Sequence, residues 1–169
     1  MTRLNGRATI GKRPVNSGLN SRALRRARAA DWGDVSRLLD DAELPVTDLG
    51  PALLEHFLIA ELDDDVVGLV GLEVFGTTGL LRSLVVAKRA RSAGLGGKLV
   101  AALEAAAQAA GVRELWLLTI DAENFFIRHG YDVVTRDAVP DAIRLSKEFA
   151  ELCPDSACLM LKDLSADKS

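Results

Sequence analysis

The sequence predicts a mixed α/β domain in which antiparallel strands come first and a β-α-β unit follows. Two apolar stretches, 57–60 and 66–74, flank the acidic turn 63–65, as in a β-hairpin. Further along, the apolar run 80–86 leads through a basic, glycine-containing turn into an alanine-rich amphipathic stretch and then into a second apolar run at 112–119. A strand, a helix and a strand in this order imply parallel pairing with a right-handed crossover.

The other elements follow from periodicity and from residues that begin or end helices. Residues 23–28 alternate apolar and basic side chains as a short strand does, and Asp31 stands where it could cap a helix that Pro45 ends. Asp121 is expected to cap a second short helix over 122–129. The remaining predicted elements are a strand at 131–134, a helix from Pro140 to about Phe149, and a strand at 157–161.

Composition favours one soluble domain with terminal extensions. We expect a basic, flexible extension at 1–20, one folded domain at 21–164 and a polar tail at 165–169. No apolar run approaches the roughly 18 residues of a membrane span, so no membrane partner is expected. Two cysteines do not make a disulfide framework, which favours a reducing cytoplasm.

Charge is divided unevenly along the chain. Eight of the 21 basic residues and none of the 24 acidic residues lie in residues 1–28, so the remainder carries a net charge of −11. An acidic body argues against nucleic acid as a partner.

The basic turn after residue 86 is a candidate anion site. The first N–H groups of a helix lack partners within it, and the helix dipole places partial positive charge there. Glycines let the backbone approach an anion, and basic side chains add positive charge. The residues concerned are Gly94, Gly96, Gly97, Arg89, Arg91 and Lys98. The turn therefore predicts a pyrophosphate cradle.

The spacing of this cradle fits neither a dinucleotide fingerprint nor a nucleoside-triphosphate loop, because Lys98 is followed by leucine. The run Arg-x-x-Gly-x-Gly from Arg91 to Gly96, after a strand, resembles the coenzyme-A motif of the GCN5-related N-acetyltransferase (GNAT) superfamily. An ordinary glycine-containing turn is the alternative.

The resemblance implies the GNAT fold, a central splayed β-sheet flanked by helices, and acetyl-CoA as cosubstrate with no metal. It also implies that main-chain N–H groups around 84–86 polarise the thioester carbonyl. The residues expected to bind the cofactor are Leu84, Val85, Val86, Arg91, Ser92, Ala93, Gly94, Leu95, Gly96, Thr119 and Phe126.

A second segment, residues 122–131, is similar to the superfamily's Ala-x-x-Phe-Tyr-x-Lys-x-Gly-Phe segment. Phe126 stands where many members have a tyrosine that protonates the departing thiolate, and a phenyl ring cannot donate that proton. Thr119 stands where an asparagine is common. For Phe125, a place in the core is the expected role.

Residues 22–162 most resemble the arsenic-resistance branch of the superfamily. The segments that carry this likeness are 44–49, the Phe-Phe pair at 125 and 126, and 149–157, which includes Cys153. Because thiolates are soft ligands for metalloids, Cys153 is a candidate residue near the acceptor pocket.

Three more residues are candidates for the acceptor side. Glu73, late in its predicted strand, could take the proton of the amine, or could be an ordinary exposed carboxylate. Arg82 and Ser83 precede the cofactor-binding part of their strand and could face the acceptor. Arg82 could bind a carboxylate, phosphinate or arsonate of the substrate through a bidentate contact, or could pair with Glu73 or a loop carboxylate.

We therefore expect an N-acetyltransferase that acetylates the amine of a small, anionic molecule linked to arsenic resistance. The alternative is a non-catalytic protein of the same fold that binds acyl-CoA or arsenite. A homodimer stays open.

Overall fold

Seven strands form one sheet in a computed structural model that describes residues 23–91, 93–147, 149–150 and 155–165. The expectations for residues 1–20 and for most of the tail fall outside these ranges. The strands are β1 (Ala23–Arg26), β2 (Phe57–Leu62), β3 (Asp65–Phe75), β4 (Thr78–Val86), β5 (Glu114–Thr119), β6 (Asp132–Val133) and β7 (Cys158–Asp163). The α-helices are α1 (Trp32–Asp41), α2 (Leu95–Ala109), α3 (Glu123–Arg128) and α4 (Asp141–Arg144).

The sheet has the order β1-β2-β3-β4-β5-β7-β6, and the predicted hairpin and β-α-β unit are both present. Strands β1 to β4 are antiparallel neighbours, and β5 pairs parallel to β4 after the crossover helix α2. The parallel pairing joins only 78–80 to 114–116. Past Leu80, no register pair joins β4 to β5 in the described chain, so the two strands separate toward their carboxyl ends. This is the splay that the resemblance implies.

The core lies on both faces of the sheet. The predicted apolar face of α2 is buried, with Leu99 and Ala107 fully inaccessible to solvent. Val70 packs in the same cluster as α2, whereas the adjacent Leu69 packs in a second cluster with Leu39 of α1. Because successive side chains of a strand point to opposite faces, α1 and α2 cover opposite faces of the sheet.

The cap predicted at Asp31 has a different role. Its carboxylate accepts from Arg25 at 2.8 Å and from the backbone N–H of Arg28 at 2.7 Å, and it makes no side-chain cap on α1. The Arg25 hydrogen bond is the main cause that lowers the pKa of Asp31. Glu61 also accepts from Arg25, at 2.7 Å. The cluster thus ties β1, β2 and the start of α1 together.

Two helix ends also differ from the sequence prediction. Asp121 does not cap α3; the hydroxyl of Thr119 accepts the N–H of Ala122 at 3.0 Å instead. Helix α4 ends at Arg144, and the chain is helical again at Lys147 and at 149–150, so the predicted helix is interrupted. At the interruption the hydroxyl of Ser146 donates to the Ile143 carbonyl at 2.6 Å, an alternative to the helical ladder.

No helix in the described ranges has both the length and the apolar character that crossing a bilayer requires.

A buried polar cluster joins α2, β7 and the end of α3. The hydroxyl of Tyr131, 1% exposed, donates to Glu104 at 3.0 Å. Lys162 donates to both oxygens of Glu104 at 3.0 Å and to the carbonyl of His129 at 2.9 Å. Burial, and then the charge of Glu104, raises the pKa of Tyr131.

The wild type is expected to lose stability at alkaline pH because of Tyr131, and the Tyr131→Phe variant is expected to lack this loss. Tyr131 is the chain's single tyrosine, and its pKa in the folded state lies above the unfolded value of about 10. The stability it contributes is therefore constant below about pH 10 and falls above it as the unfolded chain ionises. At neutral pH the variant should lose about 1 kcal/mol through the missing hydrogen bond, a Tm lower by roughly 2–4 °C.

Thermal melts of both proteins from pH 7 to pH 11 check this. The wild-type Tm should fall more steeply than that of the variant above pH 10. Parallel curves would mean that the phenol is not held neutral by the fold.

Candidate active site

A cleft of about 910 Å³ opens where β4 and β5 separate, between the start of α2 and α3. Seven of the residues predicted to bind the cofactor line it together. They are Leu84, Val85, Val86, Arg91, Gly94, Leu95 and Gly96. Ala93 adjoins them in the chain but does not line the cleft, and Ser92 lies outside the described residues.

Helix α2 begins at this cleft without a side-chain cap. Gly94 precedes it in the left-handed conformation, with φ of 73°, and a Cβ there would meet no atom within 4 Å. The free N–H groups of the first turn therefore remain available to a bound anion.

The first turn of α2 packs closely against α3. A Cβ on Gly96 would lie 3.3 Å from the ring of Phe125, and one on Gly97 would lie 2.8 Å from Cε1 of His129. The two rings are themselves in contact, with centroids 4.5 Å apart. Glycine at both positions thus lets α3 form the opposite wall of the cleft.

The positive charge at the cleft differs in part from the prediction. Arg91 lines the cleft and donates from Nε to the carbonyl of Val86 at 3.0 Å. Arg89 instead pairs with Asp65 at 3.1 Å, and Lys98 does not line the cleft. The structure adds Arg128 as a second basic residue of the wall.

Sequence reasoning missed four residues of this wall that share one helical face. Their spacing of three and four positions within the predicted helix could have identified them. They are Asn124, Phe125, Arg128 and His129.

Of the two phenylalanines of α3, Phe125 packs against the core as expected but also lines the cleft, whereas Phe126 does not line it. Phe126 is 3% exposed and packs in the core against Tyr131, with ring centroids 5.4 Å apart, whereas Phe125 lines the cleft. Of the two, Phe125 is therefore the one that faces the cleft. Thr119 likewise uses its hydroxyl to accept from Ala122 and is not among the lining residues.

Strand β4 contains a bulge at the edge of the cleft. Arg82 pairs with Gly71 and Val85 pairs with Leu69, so β4 has one more residue than β3 in this interval. Ser83, within it, has φ of 58°, in the left-handed region. A bulge interrupts the hydrogen-bond ladder, so the main chain beside Leu84 is freed from regular pairing where it meets the cleft.

A second cavity, of about 490 Å³, lies beside the ends of β3 and of the 3₁₀ helix Pro51–His56. Glu73 lines it, with a side chain 32% exposed. The other polar lining residues are Asp48, His56 and Lys147. Apolar residues, including Phe57 and Phe75, form the rest of its wall.

Arg82 joins this cavity to the bulge. Its side chain is 1% exposed and donates to Oε1 of Glu73 at 2.8 Å and to Oδ1 of Asp48 at 3.0 Å. Nη1, which donates to Glu73, also contacts Oδ2 of Asp48. Nε of Arg82 donates to the hydroxyl of Ser83 at 3.2 Å. Arg82 thus makes a bidentate contact with Asp48, where one with a substrate was expected. The alternative expectation, that Arg82 pairs with Glu73 or a loop carboxylate, describes the structure.

Cys158 and Cys153 bear on the arsenite alternative. Cys158 is half-buried in β7, and burial, followed by the charge of Glu123, raises the pKa of its thiol. Cys153 lies outside the described residues. Within the described ranges, no three His, Cys, Asp or Glu side chains converge as metal ligands. The expectation of no metal stays a prediction.

Comparison with known proteins identifies the class. The acetyltransferase (GNAT) domain model matches residues 54–133. The N-acetyltransferase CT2212 of Chlorobaculum tepidum is 30% identical over 128 residues, which cover 71% of this chain and 81% of that protein. The chain therefore belongs to the GNAT acetyltransferase family, and it is an acyltransferase that uses acetyl-CoA.

The amino-acid acetyltransferase of Ralstonia nicotianae is also similar, at 31% identity over 127 residues. These cover 70% of this chain but 28% of that relative.

Solved structures confirm the fold. N-acetylglutamate synthase from Neisseria gonorrhoeae, complexed with coenzyme A and N-acetyl-glutamate, superimposes with a TM-score of 0.74 at 20% identity, over 84% of this chain and 35% of that one. Rv2747 from Mycobacterium tuberculosis, in complex with CoA, gives 0.71 at 24% identity, over 83% and 98%. This chain thus spans about a third of the length of the synthase.

Proposed function

We propose that the protein transfers an acetyl group from acetyl-CoA to the amine of a small molecule, with CoA in the 910 Å³ cleft and the acceptor in the 490 Å³ cavity. The observation that supports this proposal is that the bulged segment of β4 lies between the two cavities and contacts the wall of each. Leu84 lines the cleft, while Arg82, two residues earlier, holds Glu73 at the wall of the other cavity.

The proposed binding of CoA rests on positive charge and on unpaired main-chain N–H groups at the cleft. The uncapped start of α2, with Gly94 and Gly96 beside it, receives the pyrophosphate, and Arg91 and Arg128 add positive charge. The thioester carbonyl then lies at the bulge, where main-chain N–H groups near Leu84 stabilise the negative charge that develops on its oxygen.

In the acceptor half, Glu73 prepares the nucleophile. An amine attacks only when it is neutral, so Glu73 takes a proton from the ammonium form. The nitrogen attacks the thioester carbonyl, a C–N bond forms, and the C–S bond breaks as the thiolate leaves. The second proton of the nitrogen is lost to solvent, from which the thiolate is protonated to free CoA. Because a thiolate is a good leaving group, Phe126 in the usual tyrosine position is compatible with turnover.

The acceptor is a small anionic amine, such as an amino acid with an acidic side chain. Since Arg82 is occupied by Asp48 and Glu73, Lys147 at the cavity wall is the candidate for binding the anionic group. The N-acetyl-glutamate bound to the gonococcal synthase supports an acidic acceptor. The resemblance over 44–49 and 149–157 supports an arsenic-containing amino acid as the acceptor and a cytoplasmic enzyme. Cys153 and Ser83 are further candidates for binding that acceptor.

Thiol release from acetyl-CoA tests this function. Amino acids with carboxylate, phosphinate or arsonate side chains should release thiol and gain one acetyl group by mass spectrometry, whereas their N-methylated quaternary analogues should not. Binding of acetyl-CoA without turnover of any amine, together with arsenite binding that Cys153→Ser abolishes, would support the non-catalytic alternative instead.

A further inference from the structure

Asp48 is the more buried of the two described carboxylates that pair with Arg82 in the ion cluster that holds Glu73. Its side chain is 7% exposed, compared with 1% for Arg82 and 32% for Glu73. Asp48 comes from the loop after α1, whereas its partners lie on β4 and β3. The contact therefore joins three separate parts of the fold at the wall of the 490 Å³ cavity.

The cluster has at least two carboxylates for one guanidinium. Both oxygens of Asp48 contact Arg82, while Glu73 is held through Oε1 alone. A buried cation with a single carboxylate partner favours the ionised form of that partner and weakens it as a base. The second carboxylate offsets this effect, because its negative charge opposes that of the guanidinium.

Two other titratable groups face the same cavity, His56 and Lys147. His56 is 58% exposed and lies 3.5 Å from Glu55, and Lys147 is also exposed, so solvent screens both charges. Among the residues that the structure describes, Asp48 is thus the least screened charge beside the Arg82–Glu73 pair.

We propose that Asp48 is a positioning residue for acetyl transfer, which neutralises Arg82 so that Glu73 is oriented at the acceptor cavity and still accepts a proton. This inference rests on the proposed function. It assigns a role to a residue that does not itself contact the reacting atoms.

Asp48→Asn tests the inference, because asparagine keeps the shape of the side chain and removes its charge. The acid limb of the kcat/KM profile for the amine should move to lower pH by about one unit, and the plateau should fall about tenfold, as expected for a weaker base. The KM for acetyl-CoA should not change. Asp41→Asn, an exposed aspartate at the end of α1, is the matched control and should leave the profile as in the wild type.

A second variant separates charge from structure. Asp48→Asn combined with Arg82→Gln removes both charges, so the acid limb should lie at higher pH than in Asp48→Asn and close to that of the wild type. If Asp48→Asn does not fold, the double variant tests the inference by itself. An acid limb at the wild-type pH in Asp48→Asn, or one displaced by about one unit in the folded double variant, would overturn the inference. A wild-type protein that binds acetyl-CoA but acetylates no amine would overturn the proposed function and this inference with it.

Discussion

Gly94→Asp is expected to abolish the binding of acetyl-CoA. Gly94 has φ of 73° at the start of α2, and a Cβ there meets no atom within 4 Å, so the new side chain has room. Its carboxylate would stand beside the pyrophosphate. Two like charges about 4 Å apart near a protein surface cost roughly 4 kcal/mol, which corresponds to a loss of about a thousandfold in affinity. Isothermal calorimetry measures the loss.

Gly94→Asn is the matched control for this experiment. Asparagine has the size of aspartate and also tolerates the left-handed conformation, but it carries no charge. It should bind acetyl-CoA within about tenfold of the wild type, and both variants should melt at similar temperatures. Equal affinities for the two variants would contradict an anion site at the start of α2.

Glu73→Gln is expected to lower kcat by about 10²–10⁴-fold, the usual contribution of a general base. Glutamine keeps an oxygen that can accept the Arg82 hydrogen bond, so the cavity wall should stay in place. The dissociation constant for acetyl-CoA should not change, because Glu73 does not line the cleft proposed for the cofactor. Steady-state kinetics with saturating acetyl-CoA measure the effect.

The pH dependence distinguishes a lost base from a lost structure. Activity of Glu73→Gln should rise with pH, because a growing fraction of the amine is neutral without help from the protein. Glu55→Gln, an exposed glutamate of the 3₁₀ helix Pro51–His56, should behave as the wild type. A Glu73→Gln enzyme with unchanged kcat would show that another group takes the proton.

Much of the fold follows from local patterns in the sequence. Two apolar runs around an acidic turn indicate the hairpin of β2 and β3, and helical periodicity indicates the amphipathic helix α2; the structure confirms both. Seven of the expected cofactor residues also meet at one cleft, because a contiguous strand, turn and helix carry them.

Contacts between residues that are far apart in the sequence could not be predicted from local patterns. Asp48 and Arg82 are 34 positions apart, and only the folded chain brings the loop after α1 onto β4. The isolated aspartate in the apolar segment 44–49 was the available signal. Which of Phe125 and Phe126 lines the cleft depends on the rotation of the six-residue helix α3, and the packing of Phe126 against Tyr131 decides that rotation.

The most direct test of the cofactor site is a thermal-shift titration with acetyl-CoA, with free CoA and dephospho-CoA as comparisons. A ligand that binds only the folded protein adds roughly 2.7 kcal/mol at a hundredfold over its dissociation constant. For a chain of this size, the Tm should rise by roughly 5–10 °C with acetyl-CoA. No rise with acetyl-CoA, or an equal rise in Gly94→Asp, would contradict the site at the start of α2.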